Sequence, residues 1–306
     1  MKIVVLGAGA MGQLFGAHLV DGGHDVVMID VSVETCKAIN ENGIRVDMGT
    51  HKVFGHPRAA LAREIDRSVE LVIVLTKGPH TYEALASIQH LISEHTIGLS
   101  LQNGLGNDIP LIQFFGEDYA VVGMTDFPAD LHENGIIFSE STGHVVVGEV
   151  GSGGKDKAQE VARILDEAGL HASYTEEIQI PIWEKVIFNA VYNTVSGATG
   201  LKVGGVFGEP EARALANAVL EESLRVARRE EVAIDEKRLR DNIMNAHKNH
   251  ADHKTSMLVD LESGRRTEIE TIGGGVEKAG KQNGTDTPYL SVLCDVIRLR
   301  ERSATS

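Results

Sequence analysis

Three glycines near the amino terminus constrain the fold of this chain more than any other feature. Lys2-Ile-Val-Val-Leu6 is a short apolar run. It leads into Gly7-Ala8-Gly9-Ala10-Met11-Gly12, then an amphipathic stretch over Gln13–Val20, then a second apolar run, Asp25–Asp30. The pattern reads as strand, glycine turn, helix, strand. Gly7 permits a tight turn, Gly9 lets a ligand approach the backbone, and Gly12 lets the helix pack closely on the strand. A helix opening at such a turn directs free N–H groups and its positive dipole end at an anion. With an acid, Asp30, 23 residues after Gly7, the unit predicts a dinucleotide fold with residues 7–12 around the pyrophosphate.

Asp30 narrows the cofactor. A carboxylate at the end of the second strand accepts both ribose hydroxyls of NAD and repels the 2′-phosphate of NADP. No arginine or lysine occurs between Val31 and Thr35, and Lys37 is the nearest. NADH is therefore expected over NADPH. The competing role for Asp30 is to cap the following helix.

Further strand signals follow. Glu70–Lys77 and Thr96–Gln102 read as buried parallel strands, joined by a helix over Thr81–Ser93. Ala120–Met124, Gly135–Phe138 and His144–Gly148 are shorter β-branched runs expected to form an antiparallel extension. Lys155–Ala168 reads as a helix and His171–Thr175 as a last strand. Beyond Glu177 the signals are helical: Gln179–Val195, Pro210–Arg229, Asp235–His250 and Thr267–Lys281, with Ser303–Ser306 expected to fray. The reading is α/β: a Rossmann-type doubly wound domain over 1–176 and an all-α domain over 177–306.

Composition excludes several classes. A net charge of −15 leaves no basic face for nucleic acid. Cys36 and Cys294 lie far apart with no metal-ligand spacing. No 18-residue apolar run suits a membrane, and a first strand beginning at residue 2 leaves no room for a signal peptide, so a cytoplasmic protein is expected.

The second domain carries the more selective pattern. Lys185, Asn189 and Asn193 are spaced by four, so on an α-helix each step overshoots a full circle by about 40°. A cation and two amides then line one winding stripe, while Val186, Ile187, Ala190, Val191 and Val195 cover much of the rest. Buried polar groups require partners. A small polar ligand is one source of them; a helix whose polar residues are satisfied or solvated is the other. In the first domain, Thr76-Lys77 and Gln102-Asn103-Gly104 end strands where such sheets bind ligands. Lys77 is placed to reach the ribose–phosphate region and Asn103 to bridge nicotinamide and substrate. A solvated strand end and a turn dipeptide are the plainer readings.

The order of these features, together with Ser256-Met257 and Arg266-Thr267-Glu268-Ile269, closely resembles the ketopantoate reductase (2-dehydropantoate 2-reductase) family, from the first strand to about residue 290. The resemblance implies reduction of a 2-oxo acid, 2-dehydropantoate to (R)-pantoate, with Lys185 as proton donor. It implies that Asn189 and Asn193 bind substrate, and Ser256 its carboxylate. Glu268 would hold the nicotinamide ribose side and order the site, and the Ala129 backbone would touch the cofactor. A homodimer is expected, with the helical domain as its dimerisation part. Two departures stand out: Val203 and His253 occupy positions where some members carry asparagines, and Asp30 lies where many carry a basic residue. These point to a D-mandelate-type 2-hydroxy acid dehydrogenase as the alternative. A 3-hydroxy acid dehydrogenase and a non-catalytic NAD-responsive regulator are further readings; the Ser256 to Glu268 segment disfavours the first and Lys185 the second.

The chemistry suits the residues independently. Hydride delivery to C2 leaves an alkoxide, which a lysine stabilises and protonates, while neutral amides orient the substrate. Burial would lower the lysine's pKa and a carboxylate such as Glu268 would raise it. His247, His250 and His253 do not suit one metal ion, since 253 lies about 120° from 247 on a helix. Trp183 reads as a packing residue, and no metal is expected.

Overall fold

The computed structural model describes residues 1–132, 135–139 and 143–304. They divide into two compact units. Met1–Gln102 with Asn107–Ile178 forms the first, and Asn103–Gly106 with Gln179–Ser306 the second.

Among the described residues the first unit is built on twelve strands. β1 (Lys2–Leu6), β2 (Asp25–Ile29), β3 (Ile44–Asp47), β4 (Lys52–Gly55), β5 (Arg58–Ala60) and β6 (Leu71–Val74) come first. β7 (Ile97–Ser100), β8 (Ala120–Thr125), β9 (Asp130–Leu131), β10 (Ile136–Phe138), β11 (Val145–Glu149) and β12 (Ala172–Tyr174) follow. The main sheet has the order β12-β11-β8-β7-β6-β1-β2-β5. Every pairing in it is parallel except β8 with β11. All residues of β6 and β7 are buried, which explains their unbroken apolar runs: helices cover both faces of such a sheet. Those helices are α1 (Ala10–Asp21), α2 (Val33–Asn42), α3 (Thr81–Ser87), α4 (Asp108–Phe115) and α5 (Lys155–Glu167). α1 buries Leu14, Phe15 and Leu19 completely, each worth about 1.5–3 kcal/mol of transfer free energy.

Two expectations are corrected here. The antiparallel extension of the main sheet is β11 on β8 alone. β10 lies instead in a separate four-stranded sheet of order β4-β3-β10-β9, because a β-branched triplet specifies strand but not partner. The helix expected over Thr81–Ser93 stops at Ser87, with a 3₁₀ turn following at Gln89–Leu91.

The second unit is helical. α6 (Gln179–Asn189), α7 (Val195–Thr199), α8 (Val203–Gly208) and α9 (Pro210–Arg229) are followed by α10 (Glu236–Asn249), α11 (Ser256–Glu262), α12 (Gly273–Asn283) and α13 (Pro288–Ala304). α9 begins on Pro210, whose fixed φ and missing N–H suit a first helical position. α10 is capped by Asp235, whose side chain accepts from the Arg238 N–H. The buried carboxylate of Glu222 on α9 accepts the N–H groups of Tyr289 and Leu290 at 3.1 and 2.9 Å, closing the start of α13. α12 starts at Gly273, later than the expected Thr267. α13 continues through Ser303 to Ala304, so the expected fraying at Ser303 is not seen; Thr305 and Ser306 lie outside the described residues.

One departure bears on the polar stripe. Residues Ala190–Thr194, between α6 and α7, form a π-helical turn. A turn closed by i→i+5 bonds holds more residues than an α turn. The regular 40° winding expected from Lys185 through Asn193 therefore holds only as far as Asn189.

Candidate active site

In the first unit the glycine turn lies where the strand order reverses, between β1 and its neighbours β2 and β6; ligands of doubly wound sheets bind outside the carboxyl ends of the strands at such a point. Gly7 has φ +102°, and a Cβ there would lie 2.8 Å from the Thr76 N. At Gly12 an added Cβ would lie 1.9 Å from the Gly7 carbonyl oxygen. Gly9 differs: a Cβ there would meet nothing within 4 Å. Two glycines are thus demanded by the protein itself, and the third keeps open the space beside the α1 N-terminus, which has no side-chain cap. This arrangement fits a pyrophosphate. Ala8 is buried, while Ala10 and Met11 are half-buried on the first turn of α1.

Asp30 follows β2 and is half-buried. Its Oδ2 accepts the Ala8 N–H at 2.7 Å and its Oδ1 the Ser32 N–H at 2.9 Å. The carboxylate pins the glycine turn to the end of β2, and each oxygen keeps a lone pair for a ribose hydroxyl. It is not the helix cap: Ser32 caps α2, accepting the Thr35 N–H at 3.1 Å. Lys77 is half-buried just after β6. Ala129 is half-buried against the first unit's core, between β8 and β9.

Gln102 is a residue whose role sequence reasoning missed. Its Nε2 donates to the Thr76 carbonyl and to the Thr81 hydroxyl, both at 2.7 Å, while Ser100 Oγ donates to its Oε1 at 3.0 Å. It ties the ends of β6 and β7 together and so fixes the segment carrying Lys77. A glutamine directly after a buried apolar run is the signal that marks it.

The second unit assembles its polar residues from four stretches of chain. Asn103 Nδ2 donates to Glu268 Oε2 at 3.0 Å, and the Leu105 N–H to the Thr271 carbonyl at 2.8 Å. Between them Gly104 has φ +102°, and a Cβ there would lie 2.4 Å from Thr271. The Asn103-Gly104 pair lies in a bend and is also a docking point for the segment around Glu268. Lys185 and Asn189 are half-buried on α6, and Asn193 in the π turn is 5% exposed. Asn193 Oδ1 accepts the Met257 N–H at 3.3 Å and Ser256 Oγ at 3.5 Å. Both acceptor positions of that oxygen are thereby occupied, so what Asn193 retains for a ligand is its Nδ2 donor. The Ser256 contact sits at the outer limit of a hydrogen bond, so its hydroxyl can turn to a ligand at little cost.

His253 and Val203 meet through their backbones, the Val203 N–H donating to the His253 carbonyl at 3.0 Å. His250 and His253 place their ring centroids 5.3 Å apart, and His247 packs edge-on against Phe207. Among the described residues no cluster of side chains suits a metal ion, and no helix is long and apolar enough to cross a membrane. Trp183 is buried in the helical core.

A glycine-turn dinucleotide fold followed by a helical unit bearing a lysine and amides defines a class of nicotinamide-dependent oxidoreductase. Within that class the chain belongs to the ketopantoate reductase family. The family model described as Ketopantoate reductase PanE/ApbA matches residues 3–152, and its C-terminal counterpart matches residues 177–301. A 2-dehydropantoate 2-reductase of Lactococcus lactis is 30% identical over 306 residues, covering 98% of both chains. Among solved structures, a ternary complex of D-mandelate dehydrogenase with NADH and anilino(oxo)acetate superposes with a TM-score of 0.92 at 28% identity over the whole of both chains. A 2-dehydropantoate 2-reductase from Geobacter metallireducens superposes at 0.89 with 26% identity, covering 98% of this chain and 99% of that one.

Proposed function

We propose that this protein reduces a 2-oxo acid to a 2-hydroxy acid with NADH, 2-dehydropantoate to (R)-pantoate being the leading substrate. Residues 1–176 bind the dinucleotide and residues 177–306 hold the substrate. The observation that carries the reading is the full-length family match combined with the donor set of the helical unit. That unit supplies an ammonium, two amides and a serine hydroxyl, all groups that a carboxylate and an adjacent carbonyl oxygen accept from.

A bound nicotinamide would supply the hydride for C2. Lys185 Nζ faces the C2 oxygen, stabilises the negative charge growing there and delivers the proton that completes the hydroxyl. Asn189 and Asn193 orient the carbonyl and carboxylate through their Nδ2 donors. Ser256 turns its hydroxyl from Asn193 to the substrate carboxylate. Glu268 accepts from Asn103, which orients the Asn103 carbonyl for the ligand, and would accept from the nicotinamide ribose with its remaining lone pairs. Asp30 would accept from the adenine ribose, Lys77 would hold the phosphates, and the Ala129 backbone would contact the cofactor.

A second reading is favoured by Asp30 and by the superposition on D-mandelate dehydrogenase: the acyl group is aromatic or branched without a hydroxyl. Both readings predict a cytoplasmic homodimer. The exposed Tyr289, Val292 and Leu299 on α13 support self-association.

Steady-state rates for 2-dehydropantoate, benzoylformate and branched 2-oxo acids, each with NADH and NADPH, decide between them. 2-Dehydropantoate with NADH is expected to give the highest kcat/KM. Turnover of none of these acids would leave the NAD-responsive regulator standing.

A further inference from the structure

We infer that Thr194 is a positioning residue, holding the π turn that sets which way the Asn193 amide faces; its effect on turnover rests on the proposed 2-oxo acid reductase activity. Thr194 is completely buried, and its Oγ1 donates to the Ala190 carbonyl at 2.6 Å. That carbonyl is the first of the π segment Ala190–Thr194. Hydroxyl back-bonds of this kind recur elsewhere in the unit, from Thr199 to the Val195 carbonyl and from Ser223 to the Val219 carbonyl, where they decorate ordinary α turns and bend them slightly at most. At Thr194 the bond spans the one stretch, among the described residues, where the helical ladder widens.

The widened turn matters because of what it contains. Asn193 is one residue before Thr194, and both hydrogen bonds of its Oδ1 go to the start of α11, at Met257 N and Ser256 Oγ. An amide fixed through its oxygen offers its Nδ2 in the other direction, and a carboxylate needs that polarity. An unbroken α-helix would rotate everything after Asn189 by about 100° for the one residue gained. The Asn193 oxygen would then leave the Met257 N–H without an acceptor, and the donor would no longer face the substrate. Thr194 touches no reacting atom; it acts through Asn193.

The test compares Thr194→Val, which keeps the shape and loses the hydroxyl, with Thr194→Ser, which keeps the hydroxyl. Two measurements are made: hydrogen exchange of the Met257 amide, and the ratio of kcat/KM for a 2-oxo acid to that for its primary amide. Thr194→Val is expected to speed Met257 exchange and to lower the acid-to-amide ratio by about tenfold, with KM for NADH unchanged. Thr194→Ser is expected to restore both. In an Asn193→Ala background, Thr194→Val should change the ratio no further. An unchanged Met257 exchange rate overturns the proposal, as does a loss of kcat shared equally by acid and amide, which marks a role in folding alone. If Thr194→Val does not accumulate, Thr194→Cys, a weaker donor of similar size, is read against Thr194→Ser by the same two measurements. If the parent turns over no 2-oxo acid, the functional reading fails by itself, and Met257 exchange still judges the positioning role.

Discussion

The glycine turn after β1 is made of backbone, and the polar row on α6 of side chains. In the turn, Gly7 and Gly12 are required by contacts within the protein at 2.8 and 1.9 Å, and a single carboxylate, Asp30, pins the result in place. Apart from the Thr76 backbone that crowds Gly7, all of this lies within thirty residues of sequence. In the helical unit, two of the amides are aimed by partners from distant parts of the chain: Asn103 by Glu268, and Asn193 by the Met257 N–H. A backbone site tolerates changes of side chain around it as long as its glycines remain. A side-chain site depends on several long-range contacts at once, so its function is easier to damage without unfolding the protein.

Substitutions test that contrast. Lys185→Ala should give the largest effect, lowering kcat by about 10²–10⁴-fold, the range for a lost general acid. NADH affinity by fluorescence titration should be unchanged, because the glycine turn belongs to the other unit. A wild-type kcat would remove Lys185 from the chemistry.

Ser256→Ala should lower kcat/KM for the 2-oxo acid by about ten- to a hundredfold, the cost of one hydrogen bond to a charged group. Discrimination between acid and primary amide should fall with it. If the variant discriminates as well as the parent, the carboxylate anchor lies elsewhere, and His253 is the next residue to change.

Asp30→Asn is a smaller perturbation. It keeps an acceptor for a backbone N–H and removes the charge, so the proposed preference for NADH over NADPH should narrow by up to about fivefold, since such a charge interaction is worth at most about 1 kcal/mol. Asp30→Ala is expected to narrow it too, with added loss of NADH affinity as the Ala8 and Ser32 N–H groups lose their acceptor. Matched kcat/KM values for both cofactors would show a parent preference for NADPH if the charge argument is wrong.

The smallest effects are on stability, and they separate the units by pH. His18, buried in the first unit, has its pKa lowered by burial, partly offset by its bond to the Ala168 carbonyl. An unfolded histidine takes up a proton near its usual 6.5 while the folded one does not. Stability is therefore full above that pH and declines as pH falls below it. Cys294, buried in the helical unit, has its thiol pushed up by burial from 9.0 to about 12. Its contribution is full below pH 9 and declines as pH rises towards 12. Acid should loosen the first unit first and alkali the second, a difference that hydrogen exchange at α1 and α13 reads directly. Equal loosening of both at either extreme would show that these two groups do not govern the response.

The sequence made some of this legible and hid the rest for physical reasons. β1, α1 and β2 were readable because glycine spacing and apolar runs are local properties. Pro210–Arg229 was readable to the residue because proline marks its start. The small sheet of β4, β3, β10 and β9 was not, since its strands are two to four residues long and take their partners from tertiary structure. α13 went unread although Leu290, Leu293, Cys294 and Ile297 keep helical spacing and are buried. Gly273-Gly274-Gly275 is a poor helix former, and it falls inside the helix read over Thr267–Lys281 but in fact opens α12; the neighbours leave no room for side chains there, since a Cβ on Gly273 would lie 2.7 Å from Cys294 Sγ. The π turn at Ala190–Thr194 has no sequence signature at all; spacing by four reads the same in either helix.

The tetrapeptide Asn103–Gly106 belongs with the helical unit although its neighbours on both sides belong to the other. On a ribosome, this has a consequence in time. The segment emerges early, flanked by β7 and α4, but the groups it bonds, Glu268 and the Thr271 carbonyl, are synthesised more than 160 residues later. The nascent first unit must carry an open loop through most of translation, and the loop closes only when the chain is nearly complete. No single proteolytic cut can free one unit whole from the other, because the polypeptide passes between them three times.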